Sequence, residues 1–210
     1  MTQETDVRGG RLHRLRQSDR FIFSTMLFSA CLSLLASFVL SVDAIALAAN
    51  KVASLGCNIN PVINCGKVGI SLQASLLGFP NAFLGLVAES VVITIAVASL
   101  GGVRFPRWFM FSAQLVYTVG LVFAYWLFSQ SMLYIGALCP WCLLITLSTT
   151  LVFSSLTHFN IREDNLFLPR SLQRRAVEFV RSDADAFVVA IWLVLLVALI
   201  FAKYGAALFG

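Results

Sequence analysis

The stretch FIFSTMLFSACLSLLASFVLSV, residues 21–42, decides the fold, because it carries no charged residue over its whole length. A helix rises 1.5 Å per residue and needs roughly 20 apolar residues to cross the hydrocarbon of a bilayer. The stretch lacks the strict polar–apolar alternation of a membrane β-barrel strand. It therefore predicts a membrane-spanning helix.

Four more apolar runs of similar length follow in the 210-residue chain. Only 12% of the residues are charged and the mean hydropathy is +0.87, whereas soluble domains carry roughly 25% charged residues. The net charge of +5 is spread between the apolar runs, so we expect no nucleic-acid partner. The sequence predicts an all-α integral membrane protein with spans over 21–42, 79–100, 108–128, 133–156 and 187–207.

The positions of the arginines predict the orientation of these spans. In a five-span arrangement every arginine falls on one side of the membrane, and only Lys51, Lys67 and Lys203 fall on the other. Positive residues stay cytoplasmic, so the N-terminus is predicted inside, with the first loop and the C-terminus outside. The arginines are Arg8, Arg11, Arg14, Arg16, Arg20, Arg104, Arg107, Arg162, Arg170, Arg174, Arg175 and Arg181.

This orientation divides the chain into four parts. They are a cytoplasmic basic tail over 1–20, a four-span unit over 21–157 with an exterior loop over 43–78, a cytoplasmic connector over 158–186, and a fifth span over 187–210. The connector is interpreted as a solvated segment with a surface helix over 171–180 as the alternative. The first run is too long for the roughly 7–15 apolar residues of a cleaved signal peptide, so we expect it to stay.

Four of the five cysteines form two pairs that the predicted topology places at the same face. Cys57 and Cys65 lie in the exterior loop, and Cys139 and Cys142 form a Cys-Pro-Trp-Cys motif near the exterior end of the fourth span. A helix N-terminus stabilises a thiolate, which is the reactive form in thiol–disulfide exchange. The pairs therefore favour a redox role.

Other interpretations of the cysteines remain open at this stage. They are structural disulfides, inert buried thiols and a four-cysteine zinc site, although no histidine accompanies the four and we expect no metal. Cys31 lies in the middle of the first span, where we expect it to pack as a small hydrophobe.

The ordered set of motifs resembles the vitamin K epoxide reductase family over about residues 20–157. The motifs are the paired loop cysteines, the run Phe79-Pro80-Asn81-Ala82-Phe83-Leu84-Gly85, and Cys139-Pro140-Trp141-Cys142, whose form is similar to that of bacterial members. The resemblance implies a four-helix transmembrane bundle around a quinone pocket, capped by a short loop helix, with a peripheral fifth transmembrane helix. A helix over 67–77 is the candidate cap.

The resemblance also implies roles for the cysteines. Cys142 is similar to the cysteine that meets the quinone, and Cys139 to its resolving partner, which also pairs with Cys65. Cys57 is similar to the shuttle cysteine that exchanges with an exterior thioredoxin-fold protein. Because the chain ends soon after its last span, we expect that DsbA-like partner to be a separate protein.

Three further residues are candidates for the quinone site. Asn81 is similar to the asparagine that hydrogen-bonds a quinone carbonyl, with helix N-capping as the alternative. Thr146 occupies the place of a tyrosine in vertebrate members and has a shorter reach. Glu89 is an intramembrane carboxylate, which is costly; it either delivers protons to the quinone or is neutral and hydrogen-bonded to Gln114 or Tyr117.

These expectations combine into one predicted function. Electrons pass from the reduced exterior partner through Cys57/Cys65 and Cys139/Cys142 to a membrane quinone of menaquinone, ubiquinone or vitamin K type, and disulfide bonds are generated. One alternative is a vitamin K epoxide or quinone reductase that supplies hydroquinone. Another is a non-enzymatic scaffold or transporter with structural disulfides. The predicted location is a bacterial cell membrane.

Overall fold

The computed structural model describes residues 16–53 and 55–209, and within them the fold is entirely helical, without a strand. The part of the predicted tail with Arg8, Arg11 and Arg14 lies outside the described residues. The seven α-helices of the described part are α1 (Asp19–Ala49), α2 (Cys65–Gly69), α3 (Ala82–Leu100), α4 (Arg107–Gln130), α5 (Pro140–Arg162), α6 (Arg170–Arg181) and α7 (Ala184–Phe209).

Five of these elements are long and apolar enough to cross a membrane, which confirms the predicted number of spans. They are Asp19–Ala49, Ala82–Leu100, Arg107–Ile135, Pro140–Arg162 and Ala184–Gly205. The predicted boundary between the third and fourth spans was wrong. Residues 131–135 form a π-helical turn that continues α4, and α5 begins only at Pro140, after Gly136 has turned the chain with φ +64°.

Helix α1 is central to the bundle because it packs against both α3 and α5, while α4 packs on α5. Four serines spaced four residues apart, Ser29, Ser33, Ser37 and Ser41, make one buried face of α1. Small side chains at a helix interface let the two backbones approach closely in a bilayer. The apolar core beside this face comes from all four helices, with Met26, Ala30, Val92, Ile95, Met110 and Val152 among its members.

Gly85 lies where α3 packs on Ser37 of α1. A Cβ atom at this position would overlap Ser37 Oγ and lie 3.0 Å from Ser37 Cβ, so a larger side chain must displace Ser37 or the helices. We expect Gly85→Val to lower the free energy of unfolding in micelles by about 1–3 kcal/mol. Gly120→Val is the matched control, because a Cβ atom there meets no atom within 4 Å. Equal losses in the two variants would contradict this packing.

The fifth span, α7, is peripheral to the bundle, as predicted. It contacts α5 and α6, and its most apolar 18-residue window has no buried residue. Polar bonds fasten it along its length: His158 Nδ1 lies 2.7 Å from Asp185 Oδ2, and Trp192 Nε1 donates to the Tyr125 hydroxyl at 2.8 Å. Near its end the Tyr204 hydroxyl donates to the carbonyl of Met132 at 3.0 Å.

The predicted connector is more ordered than a solvated segment. Its first residues, 158–162, complete α5, and the alternative surface helix is present as Arg170–Arg181. Ion pairs of Arg107 with Asp164 and of Arg162 with Asp19 join it to the bundle. We call this side of the molecule the arginine end.

Two smaller expectations were wrong. The candidate cap over 67–77 is not one helix, because Ser71 is extended and separates α2 from a 3-10 turn over Leu72–Ser75. Leu72 on that turn is 87% exposed. Cys31 is exposed on the outer face of α1 rather than packed in the core.

Candidate functional site

A disulfide joins Cys57 and Cys65 at the end of the bundle opposite to the arginines, which we call the cysteine end. Two asparagines fix the loop around it. Asn64 Oδ1 accepts a hydrogen bond from the Lys67 amide at 2.8 Å and so caps α2, whose first residue is Cys65. Asn58 Oδ1 accepts from the Gly66 amide at 2.9 Å. These bonds hold Cys65 at a defined position.

A backbone clamp brings the loop to the chain just before α5. The Leu138 amide donates to the carbonyl of Val62 at 2.6 Å, and the Asn64 amide donates to the carbonyl of Leu138 at 3.0 Å. The residues that follow Asn64 and Leu138 are Cys65 and Cys139. The clamp therefore places Cys65 of the loop pair beside Cys139 of the second pair.

Cys139 is the N-cap residue of α5, and its thiol is free and only 1% exposed. Pro140 occupies the first helical position, where its missing N–H costs nothing. The Cys142 amide donates to Cys139 Sγ at 3.3 Å. The pKa of the Cys139 thiol lies below its usual value, chiefly because the Cys142 thiol donates a hydrogen bond to it, although burial acts in the opposite direction.

All four paired cysteines belong to one contact cluster. Cys57, Cys65 and Cys139 are buried together, and Cys142 packs against them with Leu40, Leu55, Val68 and Trp141. A disulfide beside a dithiol whose thiolate is stabilised is the arrangement that thiol–disulfide exchange requires. Within the described residues, no group of three or more His, Cys, Asp or Glu has the geometry to hold a metal ion.

Asp43 is a residue of this site that the sequence analysis missed. Its Oδ2 lies 3.9 Å from Cys57 Sγ, and its charge acts to raise the pKa of Cys139. It directly follows the first predicted span. The sequence signal is an acidic residue directly after the uncharged run over 21–42.

We expect Asp43→Asn to lower the pKa of Cys139, because the substitution removes a negative charge that disfavours the thiolate. The pH midpoint at which the first thiolate of the Cys139/Cys142 pair forms should move downward. Ultraviolet thiolate absorbance against pH, on a Cys31→Ser background, measures it. A midpoint that is unchanged or moves upward would contradict the assigned electrostatic contact.

Asn81 stands at the N-cap position of α3, but its side chain caps no amide, so the capping alternative was wrong. Its Nδ2 instead donates to the carbonyl of Gln73 at 2.6 Å and ties the 3-10 turn to the start of the helix. Its Oδ1 is buried and has no hydrogen-bond partner within residues 16–53 and 55–209. A buried unpaired amide oxygen at the cysteine end is suited to accept a hydrogen bond from a ligand hydroxyl.

Thr146 lies one turn after Cys142 and is buried, but its hydroxyl donates to the Cys142 carbonyl at 3.0 Å. Thr150 continues the same pattern by donating to the carbonyl of Thr146 at 2.7 Å. The Thr146 hydroxyl is the group that the family resemblance assigns to a quinone contact, and its hydrogen is already donated to the Cys142 carbonyl. Thr146 is therefore arranged to support the turn that carries Cys142.

Glu89 lies inside the bundle, where α3 faces α1 and α4. Ser33 and the Tyr117 hydroxyl both donate to its Oε1, at 2.9 and 3.1 Å, and its Oε2 has no partner among the described residues. The predicted alternative, a hydrogen bond to Glu89 from a neighbouring helix, is confirmed for Tyr117. Gln114 instead donates to Thr157. Glu89 is 4% exposed and joins three helices.

Comparisons with known proteins identify the family of this chain. No curated protein matches the chain. The model of the vitamin K epoxide reductase family matches residues 24–157, more than half of the chain, and this range includes both cysteine pairs and Asn81. The chain therefore belongs to the vitamin K epoxide reductase family.

Proposed function

We propose that this protein is a membrane thiol oxidoreductase that generates disulfide bonds, passing electrons from a reduced thioredoxin-fold protein to a membrane quinone. The observation that carries the proposal is the contact of the Cys57–Cys65 disulfide with Cys139 and Cys142 in one buried cluster. Family membership supports oxidoreductase chemistry in a membrane. The partner is proposed to act outside a bacterial cell, at the cysteine end.

The first exchange is proposed to occur at Cys57. It is 8% exposed, against 2% for Cys65 and 1% for Cys139, so an external thiolate reaches it first. Attack on Cys57 Sγ forms a mixed disulfide, breaks the Cys57–Cys65 bond and releases Cys65 as a thiolate. The second thiol of the partner then displaces Cys57, and the partner leaves oxidised.

The second exchange is proposed to run from Cys65 to Cys139, which the backbone clamp holds side by side. When Cys139 and Cys142 are joined, the Cys65 thiolate attacks Cys139 Sγ and Cys142 leaves as a thiolate. Cys57 then attacks Cys65, which restores the outer disulfide and frees Cys139. The arrangement with Cys57–Cys65 closed and Cys139 and Cys142 free corresponds to the state with two electrons on the inner pair.

The residues at the cysteine end fit the quinol form of a quinone, because the buried Asn81 Oδ1, which has no partner among the described residues, can accept a hydrogen bond from a quinol hydroxyl. Asn81 Oδ1 would accept from a quinol hydroxyl, and the second hydrogen of Nδ2, beside the one donated to Gln73, would bind a quinone carbonyl. Cys142 would face the ring, and Thr146 would support Cys142 through its carbonyl. When bound, the quinone supplies a two-electron acceptor for reoxidation of the inner pair. Glu89 is proposed as a neutral intramembrane carboxyl that holds a proton near the bundle centre.

Reconstituted turnover tests the proposal. The full chain in proteoliposomes, with a reduced thioredoxin-fold protein outside and menaquinone or ubiquinone in the membrane, should form one quinol per disulfide. A parallel assay with vitamin K epoxide and a chemical thiol separates this direction from epoxide reduction. Turnover of the epoxide with no oxidation of the thioredoxin-fold protein would contradict the proposal.

We expect Asn81→Ala to raise the KM for quinone on the order of 10-fold, because hydrogen bonds in a buried site are lost. The measurement is quinone-dependent oxidation of the reduced partner over a range of quinone concentrations. Gln73→Ala is the control, because it keeps the backbone carbonyl that Asn81 binds. An unchanged KM for Asn81→Ala would remove Asn81 from the quinone site.

A further inference from the structure

A cavity of about 240 Å³ lies between α1, α5 and α7, toward the arginine end. His158, which lines it, comes 16 residues after Cys142, a separation of about 24 Å along a helix. Apolar side chains such as Phe21, Leu151 and Val189 form much of its wall. The cavity is therefore separate from the cysteine cluster and suited to an apolar molecule.

One end of this cavity is polar, and hydrogen bonds hold its side chains in place. Asp185 Oδ1 accepts from Arg16 Nη2 at 2.6 Å, and Asp185 Oδ2 lies 2.7 Å from His158 Nδ1. An ionised carboxylate only accepts hydrogen bonds, so His158 Nδ1 carries the hydrogen. These contacts fix the ring of His158 in one orientation.

The other ring nitrogen of His158 has no partner. The side chain is 4% exposed, and its Nε2 is buried without a hydrogen bond in the part of the chain that the structure describes. A buried polar atom left unpaired costs roughly 1–3 kcal/mol. The contact of His158 Nδ1 with Asp185 is explained by its structural role, because it joins α5 to α7. This role does not explain the unpaired Nε2 or the neighbouring cavity.

The charges around the cavity disfavour an anionic ligand. The positive charge of Arg16 already faces two carboxylates, Asp185 at 2.6 Å and Asp183 at 3.4 Å, so no excess positive charge remains to attract a phosphate. A hydroxyl both donates and accepts, and it therefore satisfies His158 Nε2 whether that nitrogen is protonated or not. A carbonyl oxygen satisfies only the protonated form.

We propose that this cavity binds the hydroxyl end of a neutral, apolar bilayer molecule through His158 Nε2. Two classes of bilayer molecule present this chemistry, quinols and neutral diacylglycerols. Part of the apolar body of either would occupy the cavity between α1, α5 and α7, with its hydroxyl at the polar end. The site does not depend on electron transfer through the cysteines.

Photolabelling of the full chain in nanodiscs tests the proposal. The probes are a photoreactive naphthoquinol, a photoreactive diacylglycerol and the methyl ether of each. We expect at least one hydroxyl probe to label residues 151–158 and 186–193, and its ether to label them roughly 10-fold less. The hydroxyl probe that labels these residues identifies the source. Absence of labelling there by both hydroxyl probes would overturn the proposal.

Two variants sharpen the test. Val189→Phe fills the cavity without altering the His158–Asp185 pair and should abolish labelling, whereas Leu195→Phe, at an exposed position of α7, should not. His158→Phe should remove the preference for the hydroxyl probe over its ether. Labelling that survives Val189→Phe, or equal labelling by hydroxyl and ether in the unmodified chain, would overturn the proposal.

Discussion

Replacement of Cys142 by serine is expected to lower quinone-dependent turnover on the order of 10³-fold or more, because the residue proposed to face the quinone loses its thiolate. The outer disulfide should be unaffected, since Cys57 and Cys65 pair without Cys142. The measurement is quinol formation in proteoliposomes, together with a disulfide map of the purified variant by mass spectrometry.

The control for this variant is Cys31→Ser, which removes an exposed cysteine on the outer face of α1. It should retain full turnover, so that loss in Cys142→Ser is not a general effect of removing a thiol. The two results also separate an enzyme from a scaffold with structural disulfides. If Cys142→Ser supports cellular disulfide formation and quinol production as well as the unmodified chain does, the result contradicts the electron relay and favours the scaffold interpretation.

The fold was predictable because the bilayer imposes one simple requirement, an apolar run long enough to cross it. Hydropathy does not detect a break in the helix inside such an apolar run. The predicted boundary between the third and fourth spans was wrong for this reason. Residues 131–139 carry no charge and are mostly apolar, so the chain turns there without a charged interruption. The local signals of the break are Gly136, with φ +64°, and Pro140 at the first position of α5.

The candidate site was predictable in its residue types and not in its contacts. The spacing of the cysteines indicated two pairs, but the clamp between Val62, Asn64 and Leu138 depends on backbone hydrogen bonds that no side-chain pattern reports. The sequence indicates Glu89 as a candidate because a carboxylate is costly in a bilayer. Its partner Ser33 lies on another helix, 56 residues earlier, and only the packing of α1 on α3 identifies it.

The trapping of a partner protein is the second large effect that we expect. In Cys65→Ala, Cys57 has no disulfide partner in the loop, but its thiol still reacts with an oxidised thioredoxin-fold protein. Two thiols can break the resulting mixed disulfide, the partner's second thiol and Cys65, which re-forms its disulfide with Cys57. Cys65→Ala removes the second of these routes. A mixed disulfide between Cys57 and the partner should therefore accumulate.

Cells that express Cys65→Ala, quenched with acid and alkylated, should show a covalent adduct on a non-reducing gel that disappears after reduction. Mass spectrometry should locate the bond at Cys57. Cys57→Ala is the matched control and should give no adduct at Cys65, although that thiol is then unpaired, because Cys65 is only 2% exposed. An adduct in Cys57→Ala alone would reverse the order of the two loop cysteines. The absence of an adduct in both variants, where other exchange partners are trapped, would mean that no external thiol enters through this loop.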